Sequence, residues 1–190
     1  MKNRFSPWIV VGAVVLVIII IVASFFGTYN SLVTKSQAID GQWAQVETQY
    51  QRRFDLIPNL VESVKGIFNQ EQTVFGQLAE ARSQYAGATT VNEKDAAGVE
   101  VGQALGRLLV VVENYPDLRS QVNVTQFMDE LAGTENRISV ERRRYNEFVL
   151  DYNTTIKRVP TNIIASMFNF ESREYFQSVS GSDQAPKVEF

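Results

Sequence analysis

The sequence predicts an all-α protein: a single N-terminal transmembrane helix followed by an antiparallel, up-and-down four-helix bundle. Three observations predict it. Ile9 to Phe26 reads IVVGAVVLVIIIIVASFF, 18 residues without a charge. From Tyr29 onward the apolar residues recur at steps of three and four, as on a helix that turns one face to a core. No segment sustains the period-two alternation of a half-buried strand.

The apolar run comes first. About 20 residues at about 1.5 Å rise cross a hydrocarbon core of about 30 Å. Trp8 opens the run and Tyr29 follows it, and both residue types favour membrane interfaces. A cleaved signal peptide would have an apolar region of about 7 to 15 residues and a small-residue cleavage site. Here the run is longer and ends Ala23-Ser24-Phe25-Phe26, with Phe where a small residue is wanted, so it reads as an uncleaved anchor. Lys2, Arg4 and the amino terminus precede the span, and only Lys35 lies just after it. That bias keeps residues 1–7 in the cytoplasm, with the span at 8–27 and the domain 28–176 outside.

In the bundle, Leu32, Ile39, Trp43, Val46, Tyr50 and Ile57 form one stripe, and Val61, Val64, Phe68, Phe75 and Leu78 a second. Between them Arg52-Arg53-Phe54-Asp55-Leu56-Ile57-Pro58 carries terminal cations, a capping Asp and a first-turn Pro, which predicts a turn. The alternative is one long helix kinked at Pro58. Residues 86–96 have loop composition. A third helix carries Val101, Leu105, Leu108 and Val112 and ends at Asn114-Tyr115-Pro116-Asp117. Its Gly98, Gly102 and Gly106 share one face. Each costs a helix up to about 1 kcal/mol against Ala, so close backbone approach of a neighbouring helix is expected there. The spacing lacks the Lys and the preceding strand of a phosphate loop. A fourth helix, about 124–158, has the stripe Phe127, Leu131, Thr134, Ile138, Tyr145, Tyr152 and Ile156. Residues 177–190 read as a flexible tail.

Composition narrows function. There is no histidine and no cysteine among the 190 residues. That excludes Cys/His metal sites, Cys or His nucleophiles, His general bases and disulfides. Beyond residue 27 the chain holds 16 basic against 21 acidic residues. An acidic domain argues against nucleic acid as a partner.

Several stretches resemble the LemA family of bacterial membrane proteins. They are TYNSLVTKSQAIDGQWAQVETQYQRRFDLIPNLVESVKG (28–66), ENYPDL (113–118) and ELAGTENRISVERRRYNEFVLDYNTTIKRVPTNIIASMF (130–168). The resemblance implies an antiparallel helical bundle and a location in the bacterial cytoplasmic membrane. It supplies no reaction.

The polar residues within these stretches are the site candidates: Asp55, Asn59 and Glu62 near the first turn, and Glu135, Asn136, Arg143, Tyr145, Asn146, Tyr152 and Asn153 on the fourth helix. Tyr145-Asn146 and Tyr152-Asn153 repeat seven residues apart and so face one way. They would line a groove for a ligand or partner helix, or form a hydrogen-bond network that fixes bundle register; buried polar groups must be paired in any case, which favours the network. Arg142-Arg143-Arg144 points three ways at about 100° intervals, which fits a solvated face with ion pairs to Glu141 or Glu147. Glu62, Glu135 and Glu141 leave carboxylate catalysis open, though no cleft is evident from sequence.

Two further segments stand out. Ile163, Ile164, Met167, Phe168 and Phe170 are dense in apolar bulk and would lie in the membrane interface, with Lys157, Arg158 and Arg173 near anionic lipid, or would seal the bundle's base. If Pro58 only kinks one helix, the directions reverse and this segment sits at the far end, available to a partner. Lys187-Val188-Glu189-Phe190 would offer a carboxyl-terminal peptide to a PDZ-type module, or tuck onto the bundle. The expected function is a membrane-anchored, non-catalytic interaction or scaffold protein of the cell envelope. Its partners would be the lipid bilayer and unidentified membrane or envelope proteins, with no cofactor, metal or nucleic acid. The alternative is a ligand-binding module or carboxylate-based enzyme. A fragment from Tyr29 onward should be monomeric, while full-length chains can cluster in the membrane.

Overall fold

The structure, a computed structural model, describes residues 7–64, 71–119 and 122–176. Among them every regular element is helical: α1 Pro7–Ser63, α2 Gln72–Gly87, α3 Val91–Glu113, the short α4 Pro116–Arg119, α5 Val122–Lys157 and α6 Thr161–Met167. The expectations for Lys2 and Arg4, for Phe68, and for Lys187, Val188, Glu189 and Phe190 lie outside the described residues.

The turn expected at Asp55–Pro58 is not there. α1 passes through it as one helix of 57 residues with Pro58 inside. Pro58 removes one ladder hydrogen bond and strains the helix by about 3 kcal/mol. Against this, Phe54, Ile57, Leu60 and Val64 are all buried across the same turns. Burying each such side chain contributes about 1.5–3 kcal/mol, so packing outweighs the proline. Pro58 itself is exposed, with its ring on the outer side. The second predicted stripe is consequently split: Val61 belongs to α1 and Val64 directly follows its end, while Phe75 and Leu78 belong to α2.

The loop expected over 86–96 is also shorter. α3 starts at Val91, and Thr90 and Glu93 close a capping box. The Glu93 amide donates to the Thr90 hydroxyl at 3.2 Å, and the Thr90 amide donates to the Glu93 carboxylate at 3.0 Å. Two orphan donors are thereby satisfied reciprocally.

The chain divides into two compact units, residues 1–40 with 147–174, and residues 41–146 with 175–190. In the first, α1 up to Asp40 packs against the last part of α5 and α6. Leu32, Ile39, Val149, Tyr152, Ile156, Ile164 and Ala165 are its buried apolar residues. Lys35 is ion-paired with Asp151. α6 ends where Asn169 takes a left-handed φ of 55° and the Phe170 amide returns to the Ala165 carbonyl at 2.9 Å. This Schellman-type closure turns Phe170 back toward Tyr29, with ring centroids 5.8 Å apart.

The second unit is the four-helix bundle, built from the last part of α1, α2, α3 and the first part of α5. Glu47 pairs with Lys94, and Arg53 with the Gly98 carbonyl, so α1 and α3 run parallel. Gln42 reaches Glu141 at 2.7 Å and Arg53 pairs with Glu135, so α5 runs against α1. A three-residue turn returns α2 into α3. The order is therefore up, down, up, down, as the sequence predicts. Its core includes Val46, Leu60, Leu78, Val101, Leu108, Val112, Val124, Leu131 and Ile138.

Candidate functional site

The bundle unit buries a charged cluster where α1, α3 and α5 meet. Arg53 follows Tyr50 by three residues and precedes Ile57 by four, so it shares their inward face. It is only 2% exposed. Its guanidinium pairs with Glu135 and donates to the Gly98 carbonyl at 3.2 Å. Arg142 stands four residues after Ile138 and three before Tyr145, again on the inward face, and holds Asp95 at 3.0 Å. The Tyr50 hydroxyl donates to the other Asp95 oxygen at 2.9 Å.

Glycines on α3 make room for this cluster. A Cβ on Gly98 would stand 2.5 Å from the Tyr50 ring, and one on Gly102 would stand 3.2 Å from the Arg53 guanidinium. A Cβ on Gly106 would meet nothing within 4 Å. Side chains of α1, rather than its backbone, thus claim the space at two of the three positions.

Burial sets the electrostatics. It pulls the Arg53 guanidinium below its ordinary value, with the Glu135 charge opposing. It pushes the Asp95 carboxyl up, opposed by Arg142 and by the Tyr50 hydroxyl. It raises Tyr50 strongly, helped by the Asp95 charge, so Tyr50 remains a protonated donor. An adjoining cleft of about 460 Å³ is lined by Tyr50, Arg53, Gly102, Leu131, Glu135 and Arg142 among others. Glu135, an acid of that lining, is tied to the Arg53 guanidinium, and Asp95, outside the lining, is held by Arg142.

A second polar feature is a pair of asparagine clamps on α5. Asn153 accepts from the Arg173 amide at 2.9 Å and donates to its carbonyl at 2.8 Å. Asn146 does the same to Phe176, at 2.9 and 3.1 Å. Phe176 is buried, with its ring 4.5 Å from Tyr145 and 5.8 Å from Trp43, and the Arg142 guanidinium lies 5.1 Å from its centroid.

A LemA family profile matches residues 42–190, most of the chain. The chain belongs to the LemA family. It is similar to "Magnetosome protein MamQ 2" of Paramagnetospirillum magneticum, 27% identical over 195 residues, covering 89% of this chain and 72% of that protein. "Magnetosome protein MamQ" of Magnetospirillum gryphiswaldense is 25% identical over the same shares. "Protein LemA" of Metamycoplasma hominis is 23% identical over 158 residues, covering 81% of this chain and 71% of that protein.

In this LemA-family chain the expected site residues separate. Tyr145 and Asn146 face the interior of the bundle unit, and Tyr152 and Asn153 that of the first unit; the two asparagine amides hold the chain's own returning segment instead of bridging helices. Glu135 joins the charged cluster from its exposed rim, paired with the buried Arg53. Asp55, Asn59, Glu62 and Asn136 are exposed, off the buried stripes. Arg143 is exposed too, and its neighbour Arg142 is the one that turns inward. The arginine run is otherwise a solvated face, with Arg144 paired to Glu141 at 2.8 Å. Arg53, Tyr50 and Asp95 were not among the expected residues. Their phase relative to the neighbouring apolar stripe is the signal that marks the first two.

Proposed function

We propose that this chain is a single-pass, membrane-anchored and non-catalytic interaction module of the bacterial cell envelope, with its amino end in the cytoplasm and its bundle outside. One observation carries the proposal. Residues 8–24 of α1 are exposed throughout, an apolar run long enough to cross a membrane, and the same helix continues into the bundle. Such a surface left in water would drive aggregation, and a bilayer supplies its burial. The pairing of Asp95 and Glu135 with guanidinium groups supports an interior devoted to structure, since acid–base work needs a carboxylate that can exchange protons with substrate.

The test is photocrosslinking of full-length protein in native membranes, with the crosslinker at exposed bundle positions such as Val110 or Val122. Discrete adducts with the same few envelope proteins are expected from repeated preparations. A small molecule that co-purifies with the chain and is lost in Glu135→Gln, with no protein adducts, would favour a ligand site in the cleft and overturn the proposal.

A further inference from the structure

α6 is a helix of seven residues with two unlike sides. Ile164 and Ala165 are buried in its own unit, 8% and 3% exposed. Opposite them, Ile163 is 59% and Met167 63% exposed, and Val159 just before the helix is 79% exposed. These three stand four residues apart, so on α6 Ile163 and Met167 share a face. Phe168 is 44% exposed, and its ring lies 4.7 Å from Tyr29 and 6.0 Å from Phe25.

Phe25 is in the last turn of the apolar run Ile9–Phe26. Any bilayer that holds that run therefore ends at the level of Phe168. Met167 is its neighbour, and Ile163 lies one turn, about 6 Å, away along the helix. The headgroup region is about 5–8 Å deep on each side of the hydrocarbon, so both side chains fall within or next to it. Lys157 and Arg158 immediately precede the segment and are exposed. Arg173, expected beside them, is instead occupied: its guanidinium sits 3.4 Å from Asp40 and 3.1 Å from the Ser36 hydroxyl.

We propose that α6 is a membrane-surface foot, with Val159, Ile163, Met167 and Phe168 seated at the headgroup–acyl boundary of the leaflet from which α1 emerges. The proposal rests on α1 being an anchor. The occupant is the bilayer itself, because these residues are continuous with the span through the Phe25–Phe168–Tyr29 ring contacts. Of the outcomes expected from sequence, far-end placement with a continuous α1 is not met, since Phe168 packs on Phe25 and Tyr29; sealing is met in part, and lipid contact is what is proposed here. Ile164 and Ala165 seal the unit's interior, and the opposite side is exposed and open to lipid.

The chain has no cysteine, so single nitroxide labels can be placed without removing any. Full-length protein in phosphatidylcholine vesicles, with and without phosphatidylglycerol, would carry one label at Val15, Val159, Ile163, Met167 or Val110. The readout is collision with oxygen, which concentrates in lipid, relative to a water-soluble nickel complex. Labels at Ile163 and Met167 should give an oxygen-to-nickel ratio several-fold above that at Val110. The double variant Ile163→Asp with Met167→Asp keeps the fold, because both side chains are exposed, and should return a Val159 label to the value at Val110. Lipid contact at Val15 with aqueous values at Ile163 and Met167 would overturn the foot and leave the anchor standing. Aqueous values at Val15 would overturn both. Labels at Ile163 and Met167 that are immobilised without lipid collisions would place a protein there, and would also overturn the foot.

Discussion

At the scale of single residues, the Arg53–Glu135 pair is unequal. The Arg53 side chain is 3% exposed and that of Glu135 is 63% exposed. Removing Glu135 strands a buried guanidinium with a lone carbonyl partner, whereas removing Arg53 leaves a carboxylate that water can solvate. Glu135→Ala should therefore destabilise by about 2–4 kcal/mol, and Arg53→Met, which conserves much of the volume, by less than about 1.5 kcal/mol. Chemical denaturation midpoints decide the order, and a larger loss for Arg53→Met would contradict it. Glu93 gives a pH dependence. Its hydrogen bonds to the Thr89 and Thr90 amides and hydroxyls hold it at about 2, below its ordinary 4.5. The folded form binds this proton less readily than the unfolded form. The stabilisation is present above the ordinary value and is lost as pH falls through about 2. The advantage of wild type over Glu93→Ala should shrink across that window. Asp95 shifts the opposite way, so the difference between the two proteins, rather than either melt alone, is the quantity to follow.

At the scale of elements, Pro58 is the informative position. It lies on the outer side of α1, so its ring contributes little to the core while its missing amide leaves the ladder broken. Pro58→Ala should raise stability by about 1–2 kcal/mol, the helix penalty less the added freedom of the unfolded chain. A thermal melt that falls would mean that the proline shapes α1 in a way the bundle needs. The same position explains what the sequence could and could not say. Cations, Asp and Pro in a row are the letters of both a turn and a tolerated kink, and the choice was made by Phe54, Ile57, Leu60 and Val64 burying against other helices. The start of α3 was readable, since Thr90-Val-Asn-Glu93 is a capping-box pattern followed by apolar periodicity. So were Arg53 and Arg142, from their phase with Tyr50, Ile57, Ile138 and Tyr145. The asparagine clamps were half readable: their common face followed from the seven-residue repeat, but their partner is a segment with no periodic signal, whose place depends on contacts remote in sequence.

For the whole molecule, the open quantity is which side of the membrane receives the bundle. If Ile9 to Phe26 spans the bilayer, Lys2 and Arg4 lie on one side of it and Lys35 is the first cation on the other. Insertion retains the cation-rich flank in the cytoplasm, and acidic residues contribute little to that choice. Lys35 is also engaged with Asp151 once folded, but orientation is set during insertion, before that pair forms. The bias is therefore two side-chain cations and the amino terminus against one, which predicts an external bundle. Protease added to intact cells, or to spheroplasts where an outer membrane is present, should remove the domain from residue 28 onward while an amino-terminal tag stays protected. The bundle's own compactness slows cleavage, so digestion should be judged against the same protein solubilised in detergent. Full protection in cells together with cleavage in inverted vesicles would place the bundle in the cytoplasm. The foot on α6 would then rest on the inner leaflet, where anionic lipid is available to the exposed Lys157 and Arg158. The label experiment and the protease experiment are thus independent: the first tests whether α6 touches lipid, and the second decides which leaflet it touches.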